Sequence, residues 1–246
     1  MDKFEQIAEI LKKARRVAIL TGAGVSAESG IATFRDPDGL WAKFNPTELA
    51  SMNGFLSNPQ LVWEWYQYRR KLIAEAKPNA GHIAIAQMEN MFEFFSLATQ
   101  NVDRLHHRAG SKNVIELHGN IIENYCVDCG SYYNDPINYE DKNLLQCNKC
   151  GGKIRPAVVW FGEMLPQDEL EKAYYAAETS EVYFSIGTSA EVYPAADLPK
   201  HAKRNGAILI EINPNPTALT YYVDFKIAEP SAIALPKILN LLKGEK

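Results

Sequence analysis

Arg16-Val17-Ala18-Ile19-Leu20-Thr21-Gly22-Ala23-Gly24-Val25-Ser26-Ala27 is the stretch whose reading decides the fold. Residues 16–20 form a short apolar run of the kind that makes a strand buried on both faces. It stops at Gly22, and Gly22 to Ala27 has the G-x-G-x-x-A spacing of a dinucleotide-binding turn. Glycines there let backbone come close to a pyrophosphate. The same residues also suit a tight strand-loop turn, so the motif alone settles nothing. Its usual partner is an acid about 20 residues on, at the end of the second strand. Glu48 stands near that distance but sits in Asn45-Pro46-Thr47-Glu48-Leu49, which reads as a helix start. Glu211 ends the run Ala207-Ile208-Leu209-Ile210 and is better placed, yet far too late for an ordinary dehydrogenase. A standard hydride-transfer site is therefore not expected.

Working outward, residues 2–14 carry Phe4, Ile7, Ile10 and Leu11 at helical spacing. Further strand-like runs fall at 94–99, 157–161, 182–186 and 207–212, with helical patterns at 80–91, 167–179 and 195–204. Strands alternating with helices predict an α/β fold, a Rossmann-like doubly wound parallel sheet covered on both faces. Residues 31–78, with a helix near 60–76, and residues 121–155, which hold the cysteines, break the alternation. Both are expected to leave the sheet and form a smaller domain, a helical insertion plus a metal ribbon. The larger domain would comprise 1–30, 79–120 and 156–246.

The 246 residues are 46% hydrophobic and 23% charged, ordinary for a globular protein. A net charge of −4 argues against a protein that holds nucleic acid by neutralising phosphates. No apolar run approaches the ~20 residues of a membrane span, and Met1 to Gln6 lacks the form of a secretory signal. A cytoplasmic location is the expectation.

All four cysteines lie in two pairs, Cys126-x-x-Cys129 and Cys147-x-x-Cys150, separated by 17 residues. This is zinc-ribbon spacing, and four thiolates would close a tetrahedral shell around a structural Zn²⁺. A redox-active dithiol is the alternative, for which one pair would be enough. Gly187-Thr188-Ser189 follows a strand and offers N–H groups and hydroxyls to phosphates, or is simply a strand-to-helix turn. Asn213, just after Glu211, could face a ribose. Asn101 and Asp103, in Thr99-Gln100-Asn101-Val102-Asp103, could read an amide and a ribose hydroxyl, or Asn101 could cap a helix. His118 follows the strand-like Val114-Ile115-Glu116-Leu117 and is the natural general base, unless it is a structural histidine. His106 and His107 read as solvated, His82 as lying at a helix start and His201 as lying on a charged helix.

Together these residues resemble the sirtuin family of NAD-dependent protein-lysine deacylases. The resemblance rests on Gly22–Ile31, Phe34-Arg35, Thr99–Asp103, Leu117-His118-Gly119, the four cysteines, Val158–Glu163, Gly187–Ser189 and Ile212-Asn213, in the family's order. It implies that Ala23, Phe34, Arg35, Gln100, Asn101 and Asp103 surround the nicotinamide and its ribose, and that Gly22, Gly24 and Ser26 also belong to the cofactor site. Gly187, Thr188, Ser189, Asn213 and Ser231 would follow the phosphates and adenosine. His118 would deprotonate a ribose hydroxyl, and NAD would be consumed. The implied products are free lysine, nicotinamide and 2′-O-acyl-ADP-ribose. Val159, Phe161, Gly162 and Glu163 would present backbone to an extended peptide. Two departures fall in the cofactor loop, where Ala32 replaces a usual proline and Asp36 a common glycine.

Trp63-Glu64-Trp65-Tyr66-Gln67-Tyr68-Arg69-Arg70 further resembles the sirtuin subgroup with a Tyr-x-x-Arg acyl pocket. Spacing i, i+3 puts Tyr66 and Arg69 on one helix face. A guanidinium beside a phenol suits the carboxylate of succinyl- or malonyl-lysine; the alternative is that Arg69 and Arg70 lie in water. The expected partners are acylated-lysine proteins or peptides. Transfer of ADP-ribose to protein, or a zinc-ribbon module that docks a macromolecule, are the competing readings.

Overall fold

The computed structural model describes residues 1–32 and 49–244. At its centre is β1 (Arg16–Thr21), paired on one side with β2 (Phe94–Thr99) and on the other with β6 (Val182–Ile186). Beyond them lie β3 (Val114–Glu116), β7 (Ile208–Ile212) and β8 (Phe225–Ile227), giving the order β3-β2-β1-β6-β7-β8 with every pair parallel. Strand order reverses between β1 and β6. Open α/β sheets bind ligands at such a reversal, outside the carboxyl ends of the strands.

The period of two along β1 builds both cores. Val17 and Ile19 join Ile7, Leu11, Ile85, Leu235 and Ile238 on one face. Ala18 and Leu20 join Ala173, Ala177, Leu198 and Ala202 on the other. The first face is covered by α1 (Lys3–Leu11), α5 (Ala80–Met88) and α9 (Ser231–Lys243), the second by α7 (Gln167–Thr179) and α8 (Leu198–Arg204). Asp2 caps α1 by accepting from the Glu5 N–H, and Glu5 returns the contact to the Asp2 N–H.

One strand expectation is corrected. The apolar run at 157–161 reads as part of the parallel sheet, but the strand is β5 (Ile154–Val158), paired antiparallel with β4 (Gly119–Cys126). This hairpin lies outside the large sheet. It packs with α3 (Met52–Ser57) and α4 (Pro59–Glu75) around Phe55, Val62, Tyr66, Ile121 and Trp160. Gly119 makes the hairpin's entry possible. Its φ is +67°, and a Cβ would lie 2.0 Å from the Ala157 carbonyl oxygen.

Candidate active site

The carboxyl ends of β1, β2, β6 and β7 open into a cavity of about 1120 Å³. Gly22, Ala23, Gly24, Gln100, Asn101, His118, Gly187, Thr188, Ser189, Asn213 and Ser231 all line it. The loops are stitched to one another: the Gly24 N–H donates to the Gly187 carbonyl at 2.8 Å, Gln100 Nε2 to Thr188 Oγ1 at 3.0 Å and Asn213 Nδ2 to the Thr188 carbonyl at 3.1 Å. The fold itself also requires these glycines. A Cβ on Gly22 would sit 2.8 Å from Thr188 Cβ, and one on Gly24 would sit 2.8 Å from Gly187 Cα. What approaches so closely is the partner loop's backbone. Ser26 and Asp103 are buried beneath the cavity wall, where Ser26 Oγ donates to Asp103 Oδ2 at 2.7 Å and receives Asn101 Nδ2 at 3.2 Å. Asn101 thus braces the loop after β1 rather than capping a helix. Phe34, Arg35, Asp36 and Glu48 lie outside the described residues.

His118 projects into this cavity just after β3. Its Nδ1–H donates to the Gln100 carbonyl at 3.1 Å, which leaves Nε2 as the basic atom. Burial pushes its pKa below the ordinary imidazole value, and the Gln100 contact partly opposes that. The ring is therefore neutral, able to take a proton, at physiological pH. The His118 carbonyl accepts the Val159 N–H at 2.9 Å, fixing the histidine beside the 159–163 segment.

That segment lines the same cavity, as do Tyr66 and Arg69 of α4. Tyr66 is fully buried, and the Trp160 indole N–H donates to its phenol oxygen at 2.7 Å. The Arg69 guanidinium lies 4.7 Å over the Trp65 ring, and burial lowers its pKa against the pull of Tyr66 and Asp103. Arg70 is not solvated either. It is fully buried, donating to the Ile121 carbonyl, Gln67 and Asn124. Among the described residues, the N–H groups of Val159, Trp160, Phe161 and Glu163 are used within the fold. Glu163's carboxylate is held by Arg155. A peptide adding along this edge is left with carbonyls and the Gly162 N–H.

In the hairpin lobe, Cys126, Cys129, Cys147 and Cys150 bring their sulfurs within 4.8 Å of one another. The Sγ–Sγ separations of 3.5 and 3.7 Å for Cys126–Cys150 and Cys129–Cys147 match the edge of a ZnS₄ tetrahedron, about 3.8 Å for Zn–S bonds of about 2.3 Å. Backbone N–H groups of Lys149 and Gly152 point at Cys147 and Cys150 sulfurs at 3.4 Å, as suits thiolates. The donor set fits one structural Zn²⁺. Trp63 packs against Cys126 and Cys147, tying α4 to the metal lobe. Removing the metal with a strong chelator is expected to unfold residues 127–153 first and then to loosen α4. Limited proteolysis reads this directly; a verified metal-free protein with native resistance and full activity would contradict it.

The sequence profile of the Sir2 family matches residues 22–194. The chain belongs to the Sir2 family. An NAD-dependent protein deacylase of Aquifex aeolicus (strain VF5) is 52% identical over 230 residues, covering 92% of this chain and 95% of that one. Among solved structures, a Sir2 homologue–NAD complex is 41% identical at TM-score 0.92, with 99% of this chain and 94% of that one covered. A Sir2–p53 peptide–NAD⁺ complex is 33% identical at TM-score 0.85, with 97% and 98% covered.

Two polar groups of this Sir2 chain lie elsewhere than the sequence suggested. Glu211 is buried and outside the cavity, taken up by Thr217, Thr220 and Lys226. His106 is buried rather than solvated, 4.8 Å from the equally buried His82 and accepting or donating at Thr21 Oγ1 over 2.9 Å. Nothing in the polar run Leu105–Arg108 marked this. Burial lowers the pKa of His82 to about 4, against the pull of Asp103, and that of His106 to about 3, helped by His82 and His107. Both folded values lie below the ordinary 6.5, so their contribution is intact above that pH. It is lost as pH falls toward 4, because only the unfolded chain binds the protons. A loss of about 1.4 kcal/mol per pH unit for each histidine is expected over this window. Urea midpoints from pH 7 to 4.5 measure it, and a flat profile there would contradict it.

Proposed function

We propose that the chain is an NAD-dependent protein-lysine deacylase whose pocket prefers succinyl- and malonyl-lysine to acetyl-lysine. The single observation that carries this is one continuous cavity joining the glycine edge at the strand-order reversal, His118 and the α4 pair Tyr66 and Arg69. The cavity also suits the cofactor. Ser231 Oγ is buried at its wall with no partner among the described residues, and Gly187, Thr188 and Ser189 line the stretch where phosphates would run. NAD supplies, when bound, a ribose carbon with a leaving group. The relatives' name for the activity agrees with this.

On this reading Gly22, Ala23, Gly24, Gln100 and Asn101 hold the nicotinamide ribose, with Ser26 and Asp103 fixing Asn101 from behind. Phe34 and Arg35 belong to the same group by resemblance. Gly187, Thr188, Ser189, Asn213 and Ser231 hold the phosphates and adenosine. His118 Nε2 takes a proton from a ribose hydroxyl, with Nδ1–H anchored on Gln100 so that the base keeps its tautomer. Val159, Phe161, Gly162 and Glu163 guide the peptide, and Arg69 meets the far carboxylate of the acyl group in a bidentate contact. Residues 49–78 and 119–158 then act as a smaller lobe that brings acyl group and cofactor together. Four cysteines placed to hold a metal as thiolates suit a reducing compartment, which supports a cytoplasmic location.

The test is nicotinamide release with NAD and matched acetyl-, succinyl-, malonyl- and unmodified-lysine peptides. Release that requires an acylated peptide and is faster with succinyl or malonyl supports the reading. Release indifferent to the acyl group would sink the acidic preference, and release without any acyl-peptide would sink deacylation.

A further inference from the structure

The acyl side of the cavity contains a contact that recognition of a carboxylate by Arg69 does not require. Trp160 Nε1–H donates to Tyr66 Oη at 2.7 Å, with both side chains buried. An indole N–H can only donate, so the phenol oxygen must accept there. The Tyr66 proton is thereby turned away from Trp160. Among the described residues, no acceptor takes it. Tyr66 and Arg69 line the same cavity, so an occupant of that cavity is where an acceptor for the proton can come from.

Trp160 is itself held hard. The Arg155 guanidinium carbon lies 3.3 Å from the centre of the indole ring. Arg155 is in turn gripped by Glu163, which also accepts the Trp160 backbone N–H at 2.8 Å. Phe55 packs on the ring at 5.3 Å between centroids. A chain of contacts thus runs Glu163–Arg155–Trp160–Tyr66, from the segment beside His118 to the acyl pocket. A ring fixed this firmly fixes the direction of its N–H.

We propose that Trp160 is a specificity-determining positioning residue: its indole N–H locks the Tyr66 hydroxyl as a donor, selecting acyl groups that end in an acceptor. A succinyl or malonyl carboxylate accepts that proton as well as the Arg69 bond. An acetyl methyl accepts nothing, and leaves a buried hydroxyl unpaired. This rests on the acidic-acyl reading above and adds a second determinant to it.

The experiment compares the succinyl-to-acetyl ratio of kcat/KM in wild type, Arg69→Met, Tyr66→Phe, Trp160→Phe and a protein with Trp160 replaced by benzothienylalanine. The last keeps the indole's shape but has sulfur in place of N–H, so it decides the matter if Trp160→Phe misfolds. The expected result is a ratio lowered about tenfold, equivalent to about 1.4 kcal/mol, in the benzothienyl protein, chiefly through KM for the succinyl peptide. In a Tyr66→Phe background the same replacement should change nothing further. If wild type prefers succinyl and Arg69→Met loses that preference, but the benzothienyl protein keeps it, the role of Trp160 is overturned and the acidic-acyl reading stands. If wild type shows no succinyl preference, that reading fails and this inference falls with it.

Discussion

His118→Ala, purified folded and with its zinc, is expected to lose between about a hundredfold and ten-thousandfold in acyl transfer, the range for removing a positioned general base. The geometry makes the loss specific. Gln100 anchors Nδ1, which leaves Nε2 for the cavity, and among the described residues no second histidine lines it. The wild-type pH profile carries the same signature. As the proposed base, His118 would work as neutral imidazole, and burial holds its pKa below the ordinary value. The acid limb of kcat/KM should therefore fall with an apparent pKa below 6.5, and the rate should be insensitive to pH just above it. Steady-state rates from pH 5 to 8 measure this. An acid limb centred above 7, or a His118→Ala protein within tenfold of wild type, would remove His118 from the role.

Arg69→Met has the second largest expected effect. Methionine keeps apolar bulk against Trp65 and Tyr66 while removing the charge. The succinyl carboxylate would then be buried without its guanidinium, a change worth about 2–5 kcal/mol for a desolvated charge pair. We expect kcat/KM for a succinyl peptide to drop by about a hundredfold. The value for an acetyl peptide should change by only a few-fold, so the preference inverts. Malonyl should follow succinyl. Equal losses on acetyl and succinyl peptides would point to a folding defect instead, which a thermal melt of the variant checks.

Much of this was legible because the large sheet is built from strands buried on both faces. Phe94–Thr99 and Val182–Ile186 are bounded as their apolar runs predict, because such strands must be apolar throughout. The hairpin strand was harder. Val158, Trp160 and Phe161 are apolar for different reasons: Val158 ends β5, Trp160 fills the lobe core and Phe161 borders the cavity, so one run spanned three environments. The last strand and helix carried weaker signals. Phe225–Ile227 is only three residues long, and α9 holds Pro236 inside it, which argues against a helix in sequence terms.

The candidate site divided in the same way. Glycine turns, the cysteine pairs and His118 are short-range patterns, and the fold brings the turns and His118 to one cavity. What sequence could not supply was the second layer. The Ser26–Asp103–Asn101 brace links residues from two different loops, and the neutral His82–His106 pair links α5 to Leu105–Arg108. The Trp160–Tyr66 contact spans 94 positions. No local pattern encodes contacts of that separation.

In the proposed reaction the acyl group leaves lysine and ends on ADP-ribose. Mass spectrometry of both products after reaction of wild type with NAD and a succinyl-lysine peptide tests it most directly. The expected products are peptide lighter by one succinyl group, free nicotinamide and ADP-ribose heavier by one succinyl group, in equal amounts. Peptide or protein heavier by ADP-ribose, with the succinyl group still in place, would contradict it.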